Sequence, residues 1–470
     1  MKSSFLRPKT LANRGKVIYI SAKSSDATTA QQTGTIPEKE RTTTMQSLIV
    51  KGKRPIHGEV TISGNKNAAL PMIAALLLAD GETVLHNVPD ILDVRTMLDI
   101  AGELGAEFTF ENNTLRFRCP KVKTTTIPKA LCSRNRTSIL FAAPLLARCG
   151  KAELYPPGGD VIGRRRLDGH FYGLRSLGAK MSGEQTYRFE APRGLAGREL
   201  FLDEASVTAT EQIIVAAATA KGTTTLYNAA CEPHVKDLAE MLNAMGAKIS
   251  GAGSNTLVIE GVEKLHGCEY TVVGDHIEAG SFLALAAATG GEVTVRGTTV
   301  RHYWMLRRVF ERLGVKMKLY SDRIFLPGGQ NPKIESDFGG HIPQISDGTW
   351  PQYPSDMMSC TIVAATQCVG TVMFFEKMFE SRIYFADRLI SMGANAIVCD
   401  PHRVVITGKA KLHAVEMSSP DIRAGMAMVI AACCASGEST INQAEMIYRG
   451  YEKLPEKLAK LGADITPVTR

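Results

Sequence analysis

The segment at 154–170, LYPPGGDVIGRRRLDGH, places one carboxylate and three consecutive arginines in a stretch rich in proline and glycine. Asp160 follows two glycines, and Arg164, Arg165 and Arg166 come shortly after it. A hydrophobic core does not accommodate such a set of charges, and a surface turn does not require it. Guanidinium groups bind oxyanions through paired hydrogen bonds, and a carboxyl group can transfer a proton. The segment therefore predicts a site that binds an anion and moves a proton, with Asp160 as a simple turn residue as the alternative.

Lys66 and Asn67 lie in SGNKNAALP, between a strand-like run, EVTIS, and an Ala-rich helical segment. A helix N-terminus carries free N–H groups and a partial positive charge, so an adjacent lysine makes it suitable for an anion. The alternative is a solvated lysine with the asparagine as helix cap. Several cations at equivalent boundaries nevertheless indicate a shared anion site more than surface ion pairs. Charged residues occupy comparable boundaries at Arg134, Arg136, Asp356, Glu380, Arg382, Asp421, Arg423 and Arg449.

A sixfold repeat predicts the elements that position these residues. A Leu/Met-Gly-Ala/Val unit closes a helix-like segment at intervals of 73, 68, 68, 79 and 69 residues, with its glycine at Gly105, Gly178, Gly246, Gly314, Gly393 and Gly462. A second glycine, 23 to 28 residues earlier, separates an Ala/Leu-rich helix from a strand at Gly81, Gly150, Gly222, Gly291, Gly370 and Gly437. Glycine ends helices because it adopts the left-handed conformation at little cost. Six such units favour two domains of three units over a solenoid, whose repeats have about 20–50 residues.

Composition excludes several other classes of protein. The chain has 470 residues and a net charge of +8, of which residues 1–44 contribute +5. The rest is too weakly charged to indicate a nucleic-acid surface. The ten cysteines show neither zinc-ligand spacing nor a disulfide framework, and no apolar run is long enough to span a membrane. Residues 1–44 are predicted to form a disordered leader or to precede a start at Met45, with an organellar transit peptide as the alternative.

Several motifs resemble one family from about residue 45 to the C-terminus: EVTISGNKNAALP, PPGGDVIGRRRLD, SVTATEQI, YPSDMM, FESR and RGYEKLPEKLAKLGADI. They are similar to the UDP-N-acetylglucosamine enolpyruvyl transferases. The related shikimate-pathway enzymes are less similar, since they usually have Lys-Ser where this chain has Lys-Asn. The resemblance implies an α/β (α+β) fold, an inside-out α/β barrel of two domains with three βαβαββ repeats each. The first domain would comprise 45–64 and 277–470, and the second 65–276, with the segment around Asp160 as a lid over the substrates.

The resemblance also implies an activity. Such an enzyme transfers the enolpyruvyl group of phosphoenolpyruvate to the 3-hydroxyl of UDP-N-acetylglucosamine and releases phosphate, which is the first committed step of peptidoglycan synthesis. It would act in the cytoplasm without a metal or cofactor, as a monomer or an oligomer. The implied catalytic residues are Asp160 as proton donor, Asp356 as base at the sugar hydroxyl, and Lys66 and Arg449 as cations at phosphoenolpyruvate. The implied substrate contacts are Lys66, Asn67, Arg136, Arg165, Arg166, Leu167, Asp168, Gly169, Glu204, Ala205, Ser206, Val207, Asp356, Met378, Arg382 and Arg423.

The chain departs from the family pattern at a few positions. Asp160 stands where most members have cysteine, which predicts resistance to fosfomycin, because a carboxylate attacks an epoxide far more slowly than a thiolate does. Glu204, Arg166, Tyr448 and His276 replace a usual Lys, Pro, Asp and Arg. These changes concern the nucleotide-sugar end, so a transferase with a different acceptor is the alternative function. A catalytically inactive binding paralogue is a third, against which the retained set Lys66, Arg165, Asp356 and Arg449 argues.

Overall fold

The computed structural model describes residues 46–159 and 166–469, and in this part of the chain it has 25 strands, 14 α-helices and five 3₁₀-helices. The strands are β1 Gln46–Lys51, β2 His57–Thr61, β3 Ala79–Asp80, β4 Thr83–His86, β5 Glu107–Glu111, β6 Thr114–Arg118, β7 Lys151–Leu154, β8 Lys180–Ser182, β9 Tyr187–Glu190, β10 Glu199–Phe201, β11 Thr223–Tyr227, β12 Lys248–Ser250, β13 Thr256–Glu260, β14 Leu265–His266, β15 Glu269–Thr271, β16 Glu292–Arg296, β17 Lys318–Leu319, β18 Arg323–Leu326, β19 Gln344–Ser346, β20 Gly370–Phe375, β21 Asn395–Asp400, β22 Arg403–Gly408, β23 Glu416–Ser418, β24 Glu438–Asn442 and β25 Asp464–Thr469.

The α-helices are α1 Lys66–Ala75, α2 Leu92–Leu104, α3 Lys129–Cys132, α4 Ala142–Cys149, α5 Asp168–Ser176, α6 Val207–Ala217, α7 Pro233–Ala244, α8 His276–Thr289, α9 Trp304–Arg312, α10 Ser355–Thr366, α11 Ala386–Ser391, α12 Ile422–Cys434, α13 Glu445–Tyr448 and α14 Leu454–Lys460. The 3₁₀-helices are Leu76–Leu78, Arg136–Phe141, Val300–Tyr303, Phe338–Gly340 and Arg382–Phe385. The predicted leader and the segment 160–165 lie outside the described residues. In the described part, no helix is both long and apolar enough to cross a membrane.

Six sheets share one plan, which confirms the six βαβαββ units. In each, a parallel pair is followed by two antiparallel pairings. Five have four strands, in the orders β23-β24-β1-β25, β10-β11-β13-β12, β15-β4-β6-β5, β2-β16-β18-β17 and β19-β20-β22-β21. In the sixth, β7-β9-β8, the parallel partner is a single bridge between Thr126 and Glu153. A short pair, β3 with β14, is added to these.

The Leu/Met-Gly glycines make the predicted turns, whereas the second set does so only in part. All six Leu/Met-Gly glycines have a positive φ, between 81° and 108°. Five of the second set also have a positive φ, but only Gly150 caps a helix, and Gly81, Gly222, Gly370 and Gly437 lie a few residues beyond the helix end. The helix stop predicted at Gly291 is wrong. Gly290, with φ 69°, is the C-cap of α8. Gly291 lies against Ile56, the residue before β2, and a Cβ at Gly291 would come 2.2 Å from the Ile56 carbonyl oxygen. The sequence offers two adjacent glycines, and only packing distinguishes their roles.

Ala-rich helices form the interior and the sheets surround them, which confirms the inside-out α/β barrel. The helices α8, α10 and α12 contact one another, and all but one residue of each is buried. The helices α1, α4 and α6 form a corresponding group, with the 3₁₀-helix 136–141 between α1 and α4. A helix that is apolar on all sides is stable only when it is enclosed, and small alanines allow close approach of neighbouring helices.

The buried apolar side chains form two separate cores. One is built from residues between 68 and 272, and the other from residues 48–62 and 277–461. We propose that they are the cores of the two predicted domains. The chain crosses between them twice, and the crossings pair with each other through a Gly64–Gly274 bridge and a 2.9 Å bond from Asp275 N to Ser63 O. The Glu278 carboxylate, in the second crossing, accepts a hydrogen bond from Ser63 N in the first crossing at 2.7 Å. It also accepts one from Lys457 Nζ at 2.5 Å.

Candidate active site

The central helices begin with polar residues that follow a helix cap. Asn65, Ser206, Asp275 and Asp421 accept hydrogen bonds from backbone N–H groups of the first turns of α1, α6, α8 and α12. Asn135 does the same for the 3₁₀-helix that leads into α4. An asparagine, Asn65, therefore caps α1 as the alternative had it, but Lys66 is buried and not solvated. Because equivalent helices start at equivalent places, the repeat itself delivers the candidate residues to helix N-termini.

Lys66 and Arg449, predicted as a pair at one anion, meet at a carboxylate. Lys66 Nζ lies 2.6 Å from Asp93 Oδ2, and Arg449 Nε lies 2.9 Å from Asp93 Oδ1. Lys66 begins α1, Asp93 lies in the first turn of α2, and Arg449 follows α13. The three side chains are almost fully buried. Asp93 thus joins Lys66, in the part of the chain that builds one core, to Arg449, in the part that builds the other.

Burial alone would raise the pKa of Asp93, but the charges of Lys66 and Arg449 outweigh it and lower that pKa below its ordinary value. Asp93 is therefore an anion at neutral pH. Our sequence reasoning missed this residue, although a signal exists. Asp93 shares the buried stripe of α2 with Thr96, Met97 and Ile100, and a carboxylate on an otherwise buried helix face needs a partner.

A second cluster forms around Asp356, in the first turn of α10. Arg382 Nη2 lies 2.8 Å from Asp356 Oδ1, and Arg423 Nη2 lies 3.1 Å from Asp356 Oδ2. Both arginines are buried, whereas the Asp356 side chain is 31 % exposed and can be reached by a ligand. In the described part of the chain, Arg382 Nε and Arg423 Nη1 are buried and have no hydrogen-bond partner. Such donors favour an anion, because a buried N–H of a cation is costly to leave unpaired.

Ser355 and Glu376 support this cluster from behind. Arg382 Nη1 donates to Ser355 Oγ at 2.6 Å, and Ser355 Oγ donates to Glu376 Oε1 at 2.7 Å. Burial, together with the hydrogen bond and charge of Asp347, raises the pKa of Glu376 to about 9. Glu376 is consequently neutral at pH 7 and does not cancel the charge of Arg382.

Each cluster sets two cations against one shared carboxylate. Asp93 pairs with Lys66 and Arg449, and Asp356 pairs with Arg382 and Arg423. Cations grouped in this way can bind a ligand with two anionic groups, one at each cluster. This arrangement suits a small molecule that carries a phosphate and a carboxylate better than a single inorganic ion.

The glycine pair before Asp160 is held against the start of the 3₁₀-helix 136–141. A Cβ at Gly158 would come 1.8 Å from the Ser133 carbonyl oxygen, and one at Gly159, with φ 107°, would come 3.1 Å from Arg136 N. Only glycine permits this approach. On the other side of the segment, Arg136 Nη2 donates to the Arg166 carbonyl at 2.9 Å. Arg136 thus contacts the residue before the segment through its backbone and the residue after it through its side chain. Asp160, Arg164 and Arg165 lie outside the described residues.

Most residues predicted to contact the nucleotide lie at the N-termini of two neighbouring helices. Arg166, Leu167, Asp168 and Gly169 precede or begin α5, and Glu204, Ala205, Ser206 and Val207 precede or begin α6. The two helices pack closely: a Cβ at Gly169 would come 3.2 Å from Ala209 Cβ. Met378 lies apart from them, after β20, where its backbone N–H donates to Asp347 Oδ2 at 3.3 Å.

Comparison with known proteins agrees with this geometry. The family model for EPSP synthase (3-phosphoshikimate 1-carboxyvinyltransferase) matches residues 50–458. Proteins named UDP-N-acetylglucosamine 1-carboxyvinyltransferase are similar over most of the chain. The one from Borreliella burgdorferi is 50 % identical over 90 % of this chain and 99 % of its own. The one from Treponema denticola is 51 % identical over the same shares, and that from Bradyrhizobium diazoefficiens is 50 % identical over 89 % and 97 %.

Solved structures show the same fold at lower identity. The enolpyruvyl transferase NikO from Streptomyces tendae has a TM-score of 0.79 and 21 % identity, covering 91 % of this chain and 100 % of its own. EPSP synthase from Acinetobacter baumannii has a TM-score of 0.71 and 20 % identity over the same shares. At these identities the structural likeness concerns the fold alone.

Proposed function

This chain belongs to the UDP-N-acetylglucosamine 1-carboxyvinyltransferase family, and we propose that it transfers the enolpyruvyl group of phosphoenolpyruvate to the 3-hydroxyl of UDP-N-acetylglucosamine, releasing phosphate. The reaction would be the committed step toward peptidoglycan and would take place in the cytoplasm. The observation that carries the proposal is the pair of charge clusters, each with two cations at one carboxylate, in a chain half identical to enzymes of that name.

The cations divide between the two anionic groups of phosphoenolpyruvate. Lys66 and Arg449 would bind the phosphate together with Arg165, and Arg382 and Arg423 would bind the carboxylate through their free N–H donors. Guanidinium groups favour carboxylates and phosphates because their N–H groups match the oxyanion geometry. Held at both ends, phosphoenolpyruvate would present its C2 to the incoming hydroxyl in a fixed orientation.

The proton transfers would be divided between two carboxyl groups. As the sugar oxygen bonds to C2, Asp356 would take the hydroxyl proton and Asp160 would protonate C3. Loss of phosphate and of a proton from C3 would then regenerate the double bond. This addition requires an acid that reaches C3 and a base that reaches the sugar hydroxyl. Asn67, Arg136, the starts of α5 and α6, and Met378 would hold the nucleotide sugar.

The test is phosphate release from phosphoenolpyruvate, measured with and without UDP-N-acetylglucosamine. We expect release only with this acceptor, a product heavier than the acceptor by the enolpyruvyl group, and no effect of a chelator. Lys66→Gln should abolish turnover, whereas Lys51→Gln, an exposed lysine paired with Glu438 at 3.5 Å, should not. Turnover with another nucleotide sugar only, or loss of turnover with chelator, would contradict the proposal.

A further inference from the structure

Three histidines and a tryptophan form a group of neighbouring rings, which we call the imidazole cluster: His234, His276, His302 and Trp350. His234 and His276 are buried, and His302 and Trp350 are half-buried. The His234 and His276 rings stack with centroids 6.2 Å apart. The His302 ring meets His276 edge-on at 6.0 Å, and the Trp350 indole meets both, at 5.7 Å from His276 and 6.2 Å from His302. His276 therefore contacts the other three rings and joins them into one group.

The imidazole cluster draws on both cores and adjoins the proposed site. His234 lies in the first turn of α7, in the part of the chain that builds one core, and His276 begins α8 in the other. His276 Nδ1 lies 3.3 Å from the side-chain amide of Asn65, the residue that caps α1 directly before Lys66. Trp350 precedes α10, which carries Asp356.

Its polar atoms are not satisfied by the protein. In the described part of the chain, both ring nitrogens of His234 and the Nδ1 of His302 are buried without a hydrogen-bond partner. His234 is only 5 % exposed. An unpaired buried polar atom costs stability, and native structures hold few of them. Among the described residues, no group of three or more His, Cys, Asp or Glu is arranged to hold a metal ion, so metal ligation does not explain these rings.

Their protonation state indicates the kind of group they bind. Burial lowers the pKa of His234 to about 4, with the Asp356 carboxylate acting in the opposite direction. Burial likewise lowers the pKa of His302 to about 4 and that of His276 well below its ordinary value. Each ring is thus neutral at pH 7 and offers one donor and one acceptor, which suits a neutral hydroxyl or amide and not an anion. The contact of His276 with Asn65 and the place of Trp350 ahead of α10 are what connect these rings with the proposed site.

We propose that the imidazole cluster is an acceptor subsite, in which His234 and His302 hydrogen-bond the neutral substituent on a sugar carbon next to the reacting hydroxyl. His276 and Trp350 are positioning residues that hold the two rings. The inference rests on the proposed function, since it takes Asp356 to lie at the 3-hydroxyl. Two substituents share the required chemistry, the acetamido group on C2 and the hydroxyl on C4, and each has both a donor and an acceptor.

The key variant is His234→Phe, which keeps a ring of similar shape and removes both nitrogens. Replacing an unpartnered buried polar ring by an apolar one should leave the melting temperature of the substrate-free protein unchanged or raise it. The KM for UDP-N-acetylglucosamine should rise about tenfold, as for one lost hydrogen bond, and the KM for phosphoenolpyruvate should stay within about twofold. His234→Gln, which retains a donor and an acceptor, should recover part of the loss. His86→Phe is the control, because the His86 side chain is partly exposed and already paired with Glu269 at 2.7 Å.

Acceptor analogues distinguish the two substituents. If His234 binds the C4 hydroxyl, a 4-deoxy analogue should lose affinity with the parent enzyme and lose nothing further with His234→Phe. If His234 binds the acetamido group, UDP-glucose, which lacks that group, should lose affinity with the parent enzyme and lose nothing further with His234→Phe. Equal penalties in parent and variant for both analogues, or an unchanged acceptor KM, would overturn the proposal, as would a lower melting temperature with both KM values raised equally. If the parent itself released no phosphate with this acceptor, the proposed function would fail and not the subsite alone.

Discussion

Removing the charge of Asp93 should destabilise the protein strongly. In Asp93→Asn, Lys66 and Arg449 would lose the carboxylate that lies 2.6 Å from Lys66 Nζ and 2.9 Å from Arg449 Nε. The Lys66 and Arg449 side chains are only 11 % and 12 % exposed, so water cannot replace the lost charge. Removing one partner of such a buried ion pair costs about 3–5 kcal/mol. We expect the free energy of unfolding at pH 7 to fall by that amount, measured by denaturant titration.

The effect should depend on pH in a defined direction. Because the pKa of Asp93 is lower in the folded state than in the unfolded chain, its contribution is present above the ordinary aspartate pKa. It is lost as the pH falls through the lowered folded value. The difference in stability between the parent and Asp93→Asn should thus be full near pH 7 and should shrink below about pH 4.

A nearby residue provides the control. Asp90→Asn removes a carboxylate three positions earlier that pairs with Arg95 at 2.6 Å on the surface, where such a pair contributes at most about 1 kcal/mol. Inorganic phosphate should stabilise Asp93→Asn more than the parent, because it supplies the missing negative charge between the two cations. If Asp93→Asn were as stable as Asp90→Asn, or insensitive to phosphate, the account of this cluster would be incorrect.

Two further predictions concern the carboxyl groups assigned to proton transfer. Asp356→Asn should retain phosphoenolpyruvate binding, measured by calorimetry, and lose turnover by about a hundredfold or more, as expected when a general base is removed; near-normal turnover would show the assignment to be wrong. The parent should resist time-dependent inactivation by fosfomycin, whereas Asp160→Cys should remain active and become sensitive, with an adduct visible by intact mass. Asp160→Ala should lose most turnover. A covalent adduct on the parent, or full activity of Asp160→Ala, would contradict the role given to Asp160.

The repeat made the fold predictable, because its signals are local. A glycine after an Ala-rich helix and a strand after that glycine are read within one short segment, and the six units reinforce one another. The helix stop predicted at Gly291 lies at Gly290, because local signals do not distinguish two adjacent glycines. Gly290 and Gly291 have the same local signal, and what separates them is the approach of Ile56, more than two hundred positions away in the chain.

The site was predictable in its cations and in Asp356, but not in how these residues pair. Lys66, Arg382, Arg423 and Arg449 stand at element boundaries, so a sequence pattern can find them. Their pairing is a tertiary property, since Arg449 reaches a carboxylate on α2 from near the end of the chain. A residue such as Asp93 could have been noticed only as a charge on a buried helix stripe.

The imidazole cluster was harder still to foresee, because four segments contribute one ring each. His234, His276, His302 and Trp350 follow no spacing that one helix or strand would impose. His276 was noted as a departure from the family pattern, yet nothing local connects it with His234. Neutral histidines also change neither the net charge nor the periodicity of apolar residues, so neither signal indicates them.

The two carboxylates explain how a site with four buried cations can exist before its substrate arrives. Unpaired, Lys66, Arg382, Arg423 and Arg449 would each bear a large desolvation cost. Asp93 and Asp356 each offset part of that cost for two cations, and a dianionic substrate would offset more of it. Asp93 also joins the two cores, so the anion that binds beside it acts on the same contact that holds them together. Substrate binding and the junction of the cores are therefore electrostatically linked, and Asp93→Asn is the variant in which that linkage should be largest.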